Sequence, residues 1–364
     1  MVKLSHRLKV GRIHHVINNY GLQNGGAQKI VQELHRGLLD RGQPSSLIGL
    51  SYASDQILGA HSFPNQTPYS TKAFFSIEGY LRKYLNAGDI LHAHLFPANL
   101  FCSILYRYTN HKITILATEH STSNHRRGKW WGRTLDRILY APYHKLAAIS
   151  NGTAQQLGDW LPETRSKTTV IPNGCRLKYT VSPPIFKRNN PKPVILSAGT
   201  LRDAKNYETA LKAIALIRDT PFQYHIAGDG PLKKDLLKLA KDLGVAEKVT
   251  WLGWVDDIWP HLEQADIFLM PSRWEGFGLA AVEAMNAGLP VVLSSIPGLR
   301  ELITNAPNAG QLVDEQEAPT IANTLQWMLK NAEARIEMGQ NAYVASLSYG
   351  IDTMIDRYLE WYQT

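Results

Sequence analysis

An α/β fold with two parallel-sheet domains is what the sequence predicts, and three observations predict it. Short apolar runs of strand length alternate with helical patterns along the chain, as in a parallel sheet covered on both faces. At 364 residues there is enough chain for two separate cores. The stretch Arg176 to Pro193, with Pro183, Pro184 and Pro191, interrupts the alternation and reads as a linker.

In the first half, Arg12 to Ile17 reads as a strand and Asn18 to Gly26 as a loop ending in Gly25 and Gly26. A helix follows, with Ala27, Ile30, Val31, Leu34 and Leu38 on one face and Gly42 at its end. Further strands are expected at Ser46 to Leu50, Asp89 to Ala93, Ile113 to Thr118, Lys145 to Ile149 and Thr168 to Ile171. Ligands on such sheets bind at the carboxyl ends of the strands. His92 and His94 sit near one such end, and their i, i+2 spacing puts both on one side. With no matching carboxylate or cysteine pattern, a structural role is favoured over metal ligation. Glu119 and His120 follow another strand end, where an imidazole can donate a hydrogen bond to a substrate or to developing charge.

Next comes a basic run that includes Arg126, Arg127, Lys129 and Arg133 beside the paired Trp130 and Trp131. Two readings stand: an interfacial segment against anionic headgroups, or core tryptophans with solvated arginines.

The second half opens with the strand Val194 to Ala198, running into Gly199 to Asn206 and a helix packing through Leu211, Ile214, Ala215 and Ile217. Phe222 to Ala227 enters the turn Gly228-Asp229-Gly230-Pro231-Leu232, and Val249 to Leu252 is followed by Gly253, Trp254 and Val255. Ile267 to Met270 is a buried strand closed by Pro271. A loop with Glu275, Gly276, Phe277 and Gly278 then leads into a helix from Leu279, stopped by Gly288, and Pro290 to Leu293 is the next strand. A short helix at Leu299 to Ile303, a strand at Gly310 to Val313, helices within Glu317 to Ser346 and a last helix from Tyr349 to Tyr362 complete the chain.

A strand, a glycine loop and a helix start make an anion-binding device, because free amides and the positive end of the helix dipole face the same point. Glu275 and Glu283, with seven residues between them, put one carboxylate in the loop and one just over a turn into the helix. Both suit neighbouring sugar hydroxyls. An ordinary helix start with two solvated glutamates is the bland alternative.

Composition bounds the rest. Hydrophobic residues at 44% and charged residues at 19% describe a soluble globular protein. Cys102 and Cys175 show no metal spacing and suggest a reducing compartment. No apolar run approaches a membrane span and Met1 to Lys9 lacks the apolar core of a signal peptide, so a cytoplasmic protein is expected. The net charge of +8 is uneven: through Ile185 there are 22 Lys and Arg against 9 Asp and Glu, and beyond it 17 against 22. The basic half suits anionic lipid or a phosphorylated acceptor, or is simply solvated. Nucleic acid is disfavoured, since no recognition signature accompanies the charge.

The run Glu275-Gly276-Phe277-Gly278-Leu279 with Glu283, flanked by Pro271-Ser272 and by Ala287-Gly288-Leu289-Pro290-Val291-Val292, closely resembles the donor-site signature of the retaining glycosyltransferases of family four. The resemblance implies a GT-B fold: two Rossmann-like doubly wound domains facing a central cleft, with the C-terminal helix crossing back to the first domain. It further implies that Glu275 contacts the transferred sugar, Glu283 the ribose, and the amides of Phe277, Gly278 and Leu279 the phosphates, with Gly276 also in the donor site. Gly25 and Gly26 resemble the family's first glycine-rich loop, near donor phosphate and acceptor. Ala117 to Asn124 looks like the segment whose histidine, here His120, lies close to the sugar. Val170 to Gly174, with Asn173, resembles the last strand and turn before the linker. Gly230 matches a donor-site turn, and Val255 lies on the edge that receives the base.

The family usually has arginine directly after Gly199 and lysine five residues beyond it, to neutralise the leaving diphosphate. Lys205 matches. Thr200 occupies the arginine position, and Arg202 is the natural substitute.

The resulting expectation is a domain at 1–182 with the helix 347–364, and a nucleotide-sugar domain at 183–346. The activity expected is metal-independent and cofactor-free transfer, with retention, of a hexose or N-acetylhexosamine. The donor is a nucleotide sugar, UDP being commonest among such enzymes; the acceptor is a lipid-linked glycan for a bacterial surface polysaccharide. A peripheral contact with the inner face of the cell membrane goes with it. The rivals are a sugar-nucleotide epimerase on the same fold and a non-catalytic nucleotide-sugar sensor.

Overall fold

The computed structural model describes residues 10–21, 25–53, 56–108, 113–186 and 190–364. The N-terminal segment Met1 to Lys9, part of the first glycine loop and part of the proline-rich stretch therefore lie outside the described residues.

Contacts divide the chain into two compact units, one made of Met1–Gly174 with Ile351–Thr364, the other of Cys175–Gly350. In the first, strands β1 (Ile13–Ile17), β2 (Ser45–Gly49), β3 (Ala60–Ser62), β4 (Ile90–His94), β5 (Thr114–Glu119), β6 (Lys145–Ala148) and β7 (Thr168–Val170) alternate with helices. These are α1 (Gly26–Asp40), α2 (Thr71–Tyr84), α3 (Ala98–Tyr106), α4 (Gly132–Tyr140) and α5 (Asn151–Trp160). The strand order is β3-β2-β1-β4-β5-β6-β7, all parallel.

The second unit carries α6 (Tyr207–Leu216), α7 (Lys233–Asp242), α8 (Trp259–Gln264), α9 (Leu279–Asn286), α10 (Arg300–Thr304), α11 (Ala318–Lys330) and α12 (Ala332–Ser346). Its strands are β8 (Val194–Ala198), β9 (Gln223–Ala227), β10 (Val249–Gly253), β11 (Ile267–Met270), β12 (Val291–Ser294) and β13 (Gly310–Val313). They run parallel in the order β10-β9-β8-β11-β12-β13. The chain ends in α13 (Ile351–Gln363), a helix of the first unit.

β11 reads as an unbroken apolar run because helices cover both faces of its sheet. All four residues of β11 and of β12 are buried. In α1 the inward face is Ile30, Val31, Leu34 and Leu38, the helical spacing expected. Ser70 and Ser150 cap α2 and α5 by accepting from the amides of Ala73 (3.1 Å) and Thr153 (3.0 Å). β3 and α2 occupy a stretch whose sequence pattern predicts no element.

The division between the units falls at Gly174 and at Gly350, ahead of the proline-rich stretch rather than inside it. The N–H of Cys175 donates to the Tyr349 carbonyl (3.0 Å) and Cys175 pairs with Gly350, so the two crossings of the chain lie side by side. Lys178 and Tyr179 are already built into the second unit: the Asn286 carboxamide oxygen accepts from their amides, each at 3.0 Å.

α13 closes one face of the first sheet. Gly37 lies so close that a Cβ there would sit 2.1 Å from Ile355, and Arg41 pairs with Asp352 (2.9 Å) and Asp356 (2.8 Å). Among the described residues no helix is long and apolar enough to cross a membrane.

Candidate active site

In an open parallel sheet the crevice lies where neighbouring strands send their connections to opposite sides, at the carboxyl ends. In the second unit that point falls between β8 and β11. The loop after β8 carries Lys205 and the loop after β11 carries Glu275. Their side chains meet there: the Lys205 ammonium donates to the Glu275 carboxylate, both groups about one-fifth exposed. Arg273 fastens the loops together through Asp203 (2.7 Å) and its own amide to the Ala204 carbonyl (2.9 Å).

Two close approaches hold this pair. The Lys205 stem lies over Gly199, where a Cβ would be 3.2 Å from Lys205 Cε. Gly298 backs the Glu275 main chain, and a Cβ there would be 2.1 Å from its carbonyl oxygen. Gly278 has φ 85°, the left-handed conformation that lets the loop turn into α9. Its neighbour Phe277 is buried, edge-on to Tyr349 at 5.5 Å. The amide of Gly276 is taken by its neighbour's Glu275 carboxylate (3.1 Å). Those of Phe277, Gly278 and Leu279 donate to no acceptor among the described residues, at the positive end of α9. Glu283 is half-buried within that helix. The arrangement offers a cation, a carboxylate and free amides at one place, which suits an anion joined to a hydroxylated ring.

Other expected positions fare differently. Arg202 is exposed, and its side chain has no polar partner among the described residues; it shapes the turn through its carbonyl, which accepts from Lys205 N–H (3.0 Å). Gly230 is required by packing, since a Cβ would be 2.6 Å from the Leu201 carbonyl, and its amide is already given to Asp229 (2.7 Å). Val255 lies half-buried just beyond β10, beside the exposed Trp254.

In the first unit, Gly25 with φ 129° precedes α1 and Gly26 is its first residue. Asn173 is buried, and its carboxamide oxygen has no partner among the described residues. Glu119 accepts from the Tyr140 hydroxyl (2.5 Å). His120 follows β5 and belongs to a group of histidines assembled by strand register. Parallel pairing sets His15 beside His92 and His94 beside Thr118, and the period of two turns all four to one face with His120.

His15 Nδ1 lies 3.0 Å from His94 Nε2, and His94 Nδ1 lies 3.1 Å from His120 Nε2. His92 is held between Tyr362 Oη (2.7 Å) and Thr118 Oγ1 (2.8 Å), and Thr118 Oγ1 also meets Tyr358 Oη (3.1 Å). Burial pushes the pKa values of His15, His92 and His94 well below the usual histidine range, and that of His120 down to about 4. All four rings are therefore neutral at pH 7. His15, His92 and His94 each offer a nitrogen within 4.8 Å of the others, close enough to hold a metal ion. Both nitrogens of His92 and of His94 are engaged in hydrogen bonds, which an ion would have to displace.

The basic stretch divides. Trp130 is 91% exposed and Trp131 42%, so the reading of both as core is corrected. Lys129 and Arg133 are exposed with them. Arg126 is not part of that surface: it is buried, bound to the fully buried Asp136 at 2.5 Å, and stacked over Phe96 at 4.3 Å. Arg127 turns inward too, donating to the Thr122 carbonyl, with two further guanidinium nitrogens buried and without a partner among the described residues. A buried guanidinium needs a counter-charge, and Asp136 lies ten residues further on, across the start of α4.

Sequence reasoning missed His15, Arg273, Gly298 and Asp136. A signal for His15 existed: Ile-His-His-Val-Ile is a buried strand, and polar side chains there need partners.

The model described as "Glycosyltransferase Family 4" matches residues 24–179, and that described as "Glycosyl transferases group 1" matches 180–345. A lipopolysaccharide core biosynthesis glycosyltransferase, LpsE of Rhizobium meliloti, is 29% identical over 57% of this chain and 61% of its own. The UDP-Gal:alpha-D-GlcNAc-diphosphoundecaprenol alpha-1,3-galactosyltransferase of Escherichia coli is 34% identical over 44% of each chain. Among solved structures, Anabaena HepE in complex with UDP superposes with a TM-score of 0.80 at 18% identity, covering 97% of this chain and 99% of that one.

Proposed function

Because the chain belongs to the family-four glycosyltransferases of GT-B fold, its first half matched by the Glycosyltransferase Family 4 model and its second by the Glycosyl transferases group 1 model, we propose that it transfers a hexose or N-acetylhexosamine with retention, from a UDP-sugar to a hydroxyl of a lipid-linked glycan in bacterial surface polysaccharide synthesis. The meeting of Lys205 and Glu275 beside the free amides of Phe277 to Leu279 carries this reading. A leaving diphosphate gathers negative charge, and fixed cations and helix-end amides stabilise it where it forms. On donor binding Lys205 turns from Glu275 to the diphosphate, and Glu275 takes sugar hydroxyls in its place. Glu283 receives the ribose, and His120 donates to the sugar. Lys205 and the amides supply the positive charge a divalent ion would otherwise bring, which favours a metal-independent reaction.

For the stereochemical course we infer front-face attack through an oxocarbenium-like transition state, the leaving phosphate taking the acceptor proton. Positioning of the two substrates then does much of the catalytic work.

UDP is favoured by HepE, solved with that nucleotide, and by the Escherichia coli relative named for UDP-Gal and a diphosphoundecaprenol acceptor. Lys129, Trp130, Trp131 and Arg133, exposed together, suit an anionic membrane surface beside such an acceptor.

The test is product analysis of the purified chain with a panel of UDP-sugars, with and without a diphosphoundecaprenol-linked sugar, reading anomeric configuration by NMR. A new α-linkage from an α-configured donor, formed only with acceptor, is expected. A rearranged donor without acceptor would replace the reading with epimerisation, and binding without any product would make the chain a sensor.

A further inference from the structure

We propose that His15, His94 and His120 form a single-file row of imidazoles that sets the tautomer of His120, so that His94 and His15 are positioning residues for the ring nitrogen offered to substrate. The functional part of this inference rests on the reading of His120 as a sugar-site residue; the row itself does not.

A neutral imidazole has one N–H and one lone pair, so a row of three admits two registers without a broken bond. In one, His15 Nδ1–H donates to His94 Nε2 and His94 Nδ1–H donates to His120 Nε2. This leaves His120 with Nδ1–H and His15 with a bare lone pair on Nε2. In the other every bond is reversed, and His15 ends with a buried Nε2–H.

The surroundings choose between them. His15 Nε2 is buried and has no partner among the described residues, and His15 is 0% exposed. A buried orphan N–H is more costly than a buried orphan lone pair, so the first register wins. At the other end, His120 Nδ1 is likewise without a partner among the described residues. It becomes a donor, aimed by a ring whose opposite nitrogen is already fixed, and a donor is what a sugar oxygen or developing negative charge requires. Fixing one ring nitrogen through the hydrogen bond on the other is the device by which proteins orient histidines at metals and in triads.

The row is clamped from the side. His92 packs against His94 at 4.1 Å between ring centroids and against His15 at 5.2 Å, and is itself pinned by Tyr362 and Thr118. Burial keeps all four rings neutral, which the single-file pattern needs.

The experiment is a two-bond proton–nitrogen NMR correlation of the full chain labelled with ¹⁵N-histidine, at pH 7.5 and without substrate, with His120 assigned through His120→Asn. Wild type is expected to show His120 as the Nδ1–H tautomer, the less common one in free histidine. His94→Leu should return it to the Nε2–H form. His15→Leu, two rings away, should split it between the two. A merely structural role would move the unfolding midpoint and not the tautomer. Nε2–H in wild type, or unchanged Nδ1–H in both variants, overturns the proposal; if His94→Leu does not fold, the wild-type and His15→Leu spectra decide. Failure of the glycosyltransferase reading would appear as absent turnover and would leave these spectra unchanged.

Discussion

The ammonium of Lys205 is ion-paired with the carboxylate of Glu275, 70 residues further along the chain, at the carboxyl ends of two adjacent parallel strands. On the proposed reading each group occupies the other until donor separates them. Lys205→Ala and Glu275→Ala are each expected to lower kcat by about two orders of magnitude or more, the scale for one electrostatic contact to a transition state. Their effects should not add in the double variant, because either removal already breaks the pair and strands the other group. Near-normal turnover in Glu275→Ala would sink its assigned role.

Nucleotide binding is open to measurement before any acceptor is known. At about 100 times its dissociation constant a nucleotide stabilises by roughly 2.7 kcal/mol. UDP is expected to raise the unfolding midpoint selectively over GDP, ADP and dTDP, and EDTA to leave that rise unchanged. Loss of the shift on chelation would assign the diphosphate to a metal and not to Lys205.

Arg126 and Trp130 lie in one short stretch of chain and answer to different forces. Removing Arg126 leaves Asp136 buried without its counter-charge, so Arg126→Ala is expected to cost about 3–5 kcal/mol of stability. Trp130→Ala should change stability by no more than about 0.5 kcal/mol and reduce sedimentation with anionic vesicles. Equal vesicle binding by wild type and Trp130→Ala would remove that tryptophan from a membrane contact.

The buried histidines make stability depend on pH, and their depressed pKa values set the sign. Below pH 6.5 the unfolded chain protonates them while the folded chain does not, so the unfolded state binds more protons and stability falls as pH falls. For His120 the window runs from 6.5 down to about 4. Each fully buried histidine contributes a slope of up to about 1.4 kcal/mol per pH unit. The unfolding midpoint should drop between pH 7.5 and 5.5, and less steeply in His15→Leu.

Gly298 supports Glu275 from behind. A methyl group there would sit 2.1 Å from the Glu275 carbonyl oxygen, so the loop must shift. Gly298→Ala is expected to cut turnover at least tenfold and to weaken UDP binding less, an effect visible in kcat against donor KM. An unchanged kcat would free Glu275 from dependence on this contact.

The strand–helix alternation is a local property, written in apolar periodicity, and it located nearly every strand to within a residue or two. β11 and α9 are an example: the run Ile267 to Met270, the left-handed Gly278 and the stop at Gly288 each act within a few residues of themselves. β3 and α2 escaped because neither is written so strongly. β3 is three residues long at a sheet edge, and α2 buries only Ala73, Ile77 and Leu81.

Residue type and period act locally, so the order of elements and the chemistry placed at their ends, Lys205 and Glu275 among them, were legible in the chain itself. Which of those ends meet was a matter for the folded molecule alone. Parallel register brought His15, His94 and His120 into line, and helix packing took Arg126 inside while leaving Trp130 out. Contacts between residues far apart in the chain depend on sheet order, register and burial together, and no local pattern carries that information.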